Sequence, residues 1–178
     1  MWGPKFARTM GQPIRLSLLF AVLSTALAAP AVAVTQSTTV KVTVVKPLTL
    51  TAVQNLDLGT ITLAGGTWSN VTVGLSRAGV LNCSNANVVC SGAPQVARYN
   101  VTGTNKQVVT ISAPSVTLTN QSNSSQTLTM AVDAPPSITL SSSGAPGLNF
   151  DIGGSITLSS ATADGTYTGT MNVTVDYQ

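Results

Sequence analysis

Histidine and glutamate are both absent from this 178-residue sequence, and charged residues make up only 7% of it. Soluble domains usually have about a quarter of their residues charged. Without histidine, no imidazole is present to act as a general base or as a zinc ligand. The few aspartates show no spacing typical of a paired acid and base, and no G-x-S-x-G motif occurs. We therefore expect a protein that is not an enzyme, with no catalytic residue, no metal site and no cofactor.

Basic residues are in excess only at the N-terminus. The formal net charge of the chain is +3, and Lys5, Arg8 and Arg15 precede the first long apolar run. After that run, the basic and acidic residues balance. Nucleic-acid binding requires a basic patch in the folded domain, so we expect no nucleic-acid partner.

The first long apolar run, Leu16–Ala29, has the length of a signal-peptide core. Ala31 and Ala33 then supply the pattern of small residues that a signal peptidase recognises. We predict a signal peptide over residues 1–33 and export of the remainder. A retained membrane anchor is the alternative, but Pro30 interrupts the run and no charged stop-transfer segment follows.

Cysteine is scarce, with only Cys83 and Cys90 present. An even pair in an exported chain indicates a disulfide. The short spacing predicts that the disulfide closes a small loop within one segment of the chain. A metal site would need more ligands than these two sulfur atoms.

Aromatic residues are also scarce, at 4% of the chain, and helical periodicity is absent after Val34. Instead, apolar residues alternate with Thr, Ser and Asn in many short runs. Turn residues separate these runs, and we interpret Gly153-Gly154 as one such break. Short alternating strands with turn signals between them are typical of an antiparallel β-sandwich. We therefore predict a single all-β, immunoglobulin-like domain over residues 47–178.

Two alternating segments lie at the ends of the exported chain. Near the N-terminus, Val40, Val42 and Val44 share one face of a predicted strand, and Pro47 ends it because proline has no N–H for a ladder. This segment is either the first strand of its own domain or a strand added to the sheet of another copy. At the C-terminus, alternation from Tyr167 to the end of the chain predicts one final strand.

These segments resemble the bacterial chaperone–usher pilin superfamily, and more closely an exported family of unknown function related to archaic-type fimbrial subunits. The resemblance covers Val34–Gln178. It rests on the leader into Lys46-Pro47-Leu48-Thr49-Leu50, on Asn55-Leu56-Asp57-Leu58-Gly59-Thr60-Ile61, and on Gly165-Thr166-Tyr167-Thr168-Gly169 with the alternation that follows. Such pilins often have a glycine fourteenth from the end and a penultimate tyrosine, the places taken here by Gly165 and Tyr177. Leu58 stands where the superfamily usually has phenylalanine.

The resemblance implies a sandwich that lacks its final strand and is completed by a strand from another subunit. The donor segment would be residues 34–46, with Thr38, Val40, Val42 and Val44 as the inserted side chains. One edge of the groove, also gripped by a periplasmic chaperone, would contain Gly165, Tyr167, Gly169, Met171, Val173, Val175 and Tyr177. Further implied are an outer-membrane usher, passage through the periplasm to a cell-surface fimbria, and a head-to-tail filament of identical subunits. A host or surface receptor is left open.

The alternative function is a secreted, monomeric sandwich that acts as a carbohydrate-binding or adhesin module. Trp68 and Tyr99 could stack on a sugar face, although packing within the domain is the better interpretation of both. A tip adhesin normally has an added binding domain and lacks a donor extension. A chain one domain long that starts with a candidate donor strand favours a repeating shaft subunit.

Overall fold

The computed structural model describes residues 32–178, and this part of the chain contains strands but no helix. The strands are β1 (Thr49–Gln54), β2 (Thr60–Leu63), β3 (Val71–Leu75), β4 (Leu81–Asn82), β5 (Val88–Ser91), β6 (Ala97–Thr102), β7 (Val108–Ser112), β8 (Val116–Asn120), β9 (Thr127–Asp133), β10 (Ser137–Thr139), β11 (Leu148–Leu158), β12 (Tyr167–Thr168) and β13 (Thr174–Tyr177). β-Branched Val, Ile and Thr dominate them, as the preference of such residues for pleated backbone predicts.

All strand pairs are antiparallel, which confirms the predicted all-β antiparallel sandwich. The largest sheet has 8 strands and runs β1-β6-β11-β9-β8-β12, with β3 and β4 attached through β11. A 3-stranded sheet has the order β10-β7-β13, and β2 pairs with β5 in a 2-stranded sheet. The alternating pattern of the sequence missed β1, β2, β4, β5, β6 and β7, because their apolar positions are irregular or too few to show a period.

Gly153 and Gly154 do not separate two strands, so that prediction is wrong. Both lie inside β11, which pairs with β6 through Leu148–Ile152 and with β3 through Gly154–Leu158. A Cβ on Gly153 would lie 2.1 Å from the carbonyl oxygen of Leu75. Glycine is present here because another backbone approaches closely, which is the other common reason for glycine within a strand.

The buried apolar residues form two clusters. One contains Val71, Val73, Val88, Val116, Met130, Ile156 and Leu158, and the other contains Ala97, Val101, Val109, Ile111, Leu140, Phe150 and Ile152. Leu56, Val132 and Met171 are half-buried and pack against both clusters. Burial comes mainly from Val, Leu and Ile, as the low aromatic content predicts.

The C-terminal alternation predicts one strand, but the structure divides it into β12 and β13. β12 pairs with β8 in the largest sheet, whereas β13 pairs with β7 in the 3-stranded sheet. Residues 169–173 connect them without strand pairing. The chain therefore passes from one sheet to the other at this point, which a side-chain period of two does not reveal.

The chain divides into two units, residues 1–41 and 42–178. Of the first unit only residues 32–41 are described; they are exposed and contain no strand. The predicted signal peptide, residues 1–33, lies outside the described residues except for its last two. Within residues 32–178, no helix is long and apolar enough to cross a membrane.

Candidate functional site

A groove with a volume of about 1360 Å³, lined by both apolar and polar residues, opens into the domain formed by residues 42–178. Two segments, residues 54–63 and 162–171, supply most of its lining. Side chains from β6, β8, β9 and β11 complete it, among them Tyr99, Val116, Leu118, Leu128, Met130, Ile156 and Leu158. The groove is therefore lined by residues of the hydrophobic core.

Several large apolar side chains in this groove are only half-buried. They are Leu56, Leu58, Ile61, Leu63, Leu118, Leu128 and Met171, and all of them pack against the cluster around Val73 and Ile156. A complete sandwich would normally enclose side chains of this kind between its two sheets. The groove thus leaves part of the core in contact with solvent.

Open strand edges occur on both sides of the groove. β2 pairs only with β5, and β12 pairs only with β8. Between β12 and β13, the backbone of residues 169–173 makes no hydrogen bond to any other described backbone group. Unpaired N–H and C=O groups along an edge are a template for pairing with another strand.

The predicted groove-edge residues divide into two sets. Gly165, Tyr167, Gly169 and Met171 line the groove. Val173, Val175 and Tyr177 do not line it but pack against the second cluster, together with Met171. All five large side chains of this face are half-buried, while their polar neighbours Thr168, Thr170, Asn172, Thr174 and Asp176 are exposed.

Glycine allows close approach at both ends of β12. A Cβ on Gly169 would lie 2.6 Å from the carbonyl oxygen of Thr117 and 2.9 Å from the side chains of Val116 and Leu118. At Gly165, where φ is +135°, a Cβ would lie 2.6 Å from the Asn120 side chain. The lack of a side chain at both positions therefore lets the groove edge lie close to β8.

Asn120 is a structural residue at the groove edge that sequence reasoning missed. Its side chain is only 2% exposed, and its Nδ2 donates a hydrogen bond to the carbonyl oxygen of Asp164 at 2.8 Å. Its Oδ1 accepts hydrogen bonds from the N–H groups of Ser122 and Asn123 at 2.9 and 3.2 Å. One buried amide therefore fixes both the β8–β9 turn and the start of the groove edge. The sequence offers only an ordinary asparagine before a Ser/Asn-rich turn.

The predicted donor residues are exposed and lie outside any strand. Val40, Val42 and Val44 are 90%, 81% and 83% exposed, and Thr38 is exposed as well. The first strand of the domain is β1, which begins at Thr49, so the segment around Val42 is not a strand of this domain. Whether another copy receives it is a prediction that the single chain does not test.

Cys83 and Cys90 form the predicted disulfide, with a Cα–Cα distance of 6.2 Å. Cys90 lies on β5 opposite Ile61 of β2. Both cysteines pack against the core cluster that contains Val73 and Ile156. The disulfide therefore ties the β2–β5 pair to the chain that follows β4.

The two candidate sugar-stacking residues are both used in packing. The indole N–H of Trp68 donates a hydrogen bond to the carbonyl oxygen of Ala64 at 3.0 Å, and its ring packs against the core cluster that contains Val73 and Ile156. Tyr99 stacks on Phe150 with ring centroids 5.7 Å apart, and burial raises the pKa of its hydroxyl. Both rings therefore take part in packing within the domain, and Tyr99 also lines the groove.

Charged groups contribute little to the groove. Arg98 and Asp151 form a two-pronged ion pair on the strand pair β6–β11, with N–O distances of 2.7 and 2.8 Å. Asp57 and Asp164 line the groove but no basic residue does. Among the described residues, no group of three His, Cys, Asp or Glu is arranged to hold a metal ion. The groove therefore combines apolar side chains with threonine hydroxyl groups and backbone hydrogen-bonding groups.

The family model described as a domain of unknown function (DUF4402) matches residues 48–177. The match begins one residue before β1 and ends with the last residue of β13, so it covers the whole sandwich and leaves out the segment with Val40 and Val42. No curated protein matches this chain.

Proposed function

This chain belongs to the DUF4402 family of unknown function, and we propose that it is a structural subunit of a surface fimbria that polymerises by donor-strand exchange. In this proposal the groove accepts an extended segment from another copy. The donor is the leader, defined as residues 34–46.

The open groove is the observation that carries the proposal. It combines half-buried core side chains with unpaired backbone edges on β2 and at residues 169–173. A β-strand satisfies both needs at once, because its backbone pairs with an edge while its alternate side chains enter apolar pockets. A compact ligand would leave the edges unpaired, and a helix would satisfy its own backbone.

The leader supports the proposal from the donor side. Its three valines recur at every second position and are almost fully exposed. Exposed apolar groups in a regular row indicate an interaction segment more than a solvent surface. Because groove and leader are different surfaces of the same chain, their union is heterologous and does not close, so it builds a filament.

The gross energy of such a union is sufficient to hold a filament together. Burying three valines contributes about 5–8 kcal/mol. A ladder of about ten hydrogen bonds contributes about 1 kcal/mol each. Association entropy opposes both contributions, so these figures describe the interaction before that cost.

The export route follows from the same proposal. The signal peptide over residues 1–33 directs the chain through the inner membrane, and a periplasmic chaperone covers the groove until a donor replaces it. Strands β12 and β13 are the parts that we assign to the chaperone. An outer-membrane usher then delivers the subunits to the cell surface.

A pair of charge substitutions on opposite faces of the leader tests the proposal. Val42→Arg places a charge on the face assigned to the groove, whereas Thr43→Arg places the same charge on the other face. We expect the exported wild-type and Thr43→Arg chains to form fibres visible by electron microscopy. The Val42→Arg chain should remain monomeric and should still bind a synthetic peptide of residues 34–46, because its own groove is intact.

Deletion of residues 34–45 gives a second arm of the test. The deleted chain should be exported and should bind the same peptide, but it should not polymerise. Wild-type fibre formation by either the deleted chain or the Val42→Arg chain would refute the assignment of the leader as donor. Monomers of the wild-type chain that do not bind the peptide would refute the groove as acceptor.

A further inference from the structure

Residues 34–178 contain so few charged side chains that each can be placed in the structure. Five are basic and five are acidic. Arg98 forms an ion pair with Asp151 at an N–O distance of 2.7 Å. Arg77 forms a second one with Asp133 at 3.6 Å. The remaining charged residues form no ion pair within the described part of the chain, and they are Lys41, Lys46, Lys106, Asp57, Asp164 and Asp176.

These unpaired charges are separated by sign. Lys41 and Lys46 belong to the leader, which contains no acidic residue. Asp57 and Asp164 line the groove, and no basic residue lines it. The two surfaces that the proposed function brings together therefore have opposite charges, although each is otherwise uncharged.

The two groove aspartates lie at the mouth of the groove, because both line it and both are exposed. Each belongs to a different one of the two segments that supply most of the lining. The Asp57 carboxylate accepts a hydrogen bond from the N–H of Gly59 at 2.8 Å, which fixes its position. The backbone carbonyl of Asp164 accepts the hydrogen bond from Asn120. A strand in the groove would thus meet a negative charge from each segment.

Lys41 is the basic residue that enters the groove region with the leader. Side chains alternate along a strand, so Lys41 points to the mouth when Val40 and Val42 point into the groove. Its long, flexible side chain can bend toward either segment. Lys46 stays close to its own domain, because its backbone is hydrogen-bonded to Thr104 and Tyr177.

We propose that Lys41, Asp57 and Asp164 are specificity-determining residues for strand donation, because their opposite charges steer the leader of one copy to the groove of another. This inference rests on the proposed function. It adds to that function a preference for a basic leader over an equally apolar segment without charge.

The steering acts on the rate of association more than on affinity. Exposed ion pairs contribute little at equilibrium, whereas complementary charges accelerate the encounter of two surfaces. Two charges on each side, about 10 Å apart in water, raise the association rate about tenfold when salt is low. Charges act over about 30 Å at an ionic strength of about 0.01 M, but over only about 3 Å at about 1 M.

The association rate of a peptide of residues 34–46 tests this inference. Its ends are acetylated and amidated, so that its two lysines are its only charges, and an uncharged fluorophore reports binding in a stopped-flow instrument. The acceptor is the full mature chain with Val42→Arg, whose own leader is the same in every comparison. The groove variant of this acceptor carries Asp57→Asn and Asp164→Asn; asparagine at position 57 keeps an oxygen that can accept the Gly59 hydrogen bond.

We expect the wild-type peptide to bind the acceptor about tenfold faster at about 0.01 M than at about 1 M ionic strength. At low ionic strength, the groove variant should bind the wild-type peptide about tenfold more slowly than the unchanged acceptor does. The Lys41→Gln peptide should bind the unchanged acceptor about threefold more slowly, because one of its two charges remains. At about 1 M all of these rates should coincide, which a loss of packing would not produce.

Matched controls separate the position of a charge from the net charge. Asp176→Asn removes an unpaired acidic residue that does not line the groove, and Thr39→Gln changes the leader on the same face as Lys41 without changing its charge. Both should keep the wild-type rate. On the groove variant, the Lys41→Gln and wild-type peptides should bind at equal rates, since the charges that distinguish them are gone.

Three results would overturn the inference. The first is a wild-type rate that does not change with ionic strength. The second is an Asp176→Asn effect as large as that of the groove variant, because the net charge would then be responsible. The third is a slower rate in the groove variant that persists at about 1 M, because it would reflect lost contacts and not lost charge.

Failure of the proposed function would look different. In that case the wild-type peptide would not bind at any ionic strength, and the inference would fall with the proposed function. Binding at a rate that salt does not change would overturn the inference alone and leave the groove as the acceptor of the leader.

Discussion

The side chain of Asn120 occupies the space that a Cβ atom on Gly165 would need. The distances from that Cβ position to Nδ2, Oδ1 and Cγ of Asn120 are 2.6, 2.7 and 2.9 Å. The same Asn120 amide donates to the carbonyl oxygen of Asp164, one residue earlier. A buried polar group and a glycine therefore form one unit, and this unit fixes where the groove edge begins.

Replacing Gly165 with alanine should lower the free energy of unfolding by about 2–4 kcal/mol. The new Cβ overlaps Asn120, and alanine is strained at a φ of +135°. Gly66→Ala is the matched control, because Gly66 has a φ of +92° but no atom within 4 Å of its Cβ position. In the control, the free energy of unfolding should fall only by the cost of placing alanine at a positive φ, about 1–2 kcal/mol. Equal losses in urea unfolding of the two variants would contradict the contact with Asn120.

The two central glycines of β11 should differ in their tolerance of alanine. A Cβ on Gly153 meets backbone atoms of Leu75, Ser76 and Arg77 at 2.1–2.6 Å, whereas one on Gly154 first meets the flexible Met130 side chain at 2.8 Å. Backbone cannot move aside without breaking the β3–β11 pairing. We expect Gly153→Ala to cost at least about 3 kcal/mol and Gly154→Ala about 1–2 kcal/mol. Thermal unfolding of both chains measures the difference, and the reverse order would show that β11 is not continuous through this pair.

Removing the disulfide should loosen the β2 side of the groove. The double variant Cys83→Ala, Cys90→Ala should lose about 2.5 kcal/mol of stability, the value expected for so short a loop. Its groove should also bind the peptide of residues 34–46 more weakly, because β2 pairs only with β5, on which Cys90 lies. Urea unfolding and peptide titration measure these effects. A reducing agent should reproduce both effects in the wild-type chain and change neither in the variant.

Acid should weaken the link between β6 and β11. The hydrogen bond from Arg98 holds the pKa of Asp151 below its ordinary value, which is about 3.9 in an unfolded chain. A carboxylate with a lowered folded-state pKa contributes stability above about pH 4, and this contribution is lost as the pH falls through the folded-state pKa. Because both side chains are partly exposed, the effect is small.

Asp151→Asn should therefore reduce stability near neutral pH and flatten its decline below about pH 4. Asp176→Asn is the control, since the Asp176 carboxylate makes no hydrogen bond or ion pair among the described residues. Urea midpoints measured across this pH range compare the two variants. An acid decline in Asp151→Asn as steep as that of the wild-type chain would contradict a role for the pair.

The site was predictable where it depends on alternation and not where it depends on close contacts. The half-buried face from Tyr167 to Tyr177 follows from a period of two, and the structure has that face. The division of the same segment into β12 and β13 does not follow, because a change of partner strand leaves the side-chain period intact. Asn120 was equally hidden, since its burial depends on a segment more than forty residues later in the chain.

The sequence by itself determined the fold class, the disulfide between its only two cysteines, and the absence of histidine and glutamate from any site. These follow from composition and local periodicity, which each residue carries wherever the chain folds. Only the tertiary structure decided that Gly153 and Gly154 lie within one strand, that residues 54–63 and 162–171 line one groove, and that Tyr177 holds Lys46. These features depend on contacts between residues far apart in the chain, and such contacts are set by how the sheets pack.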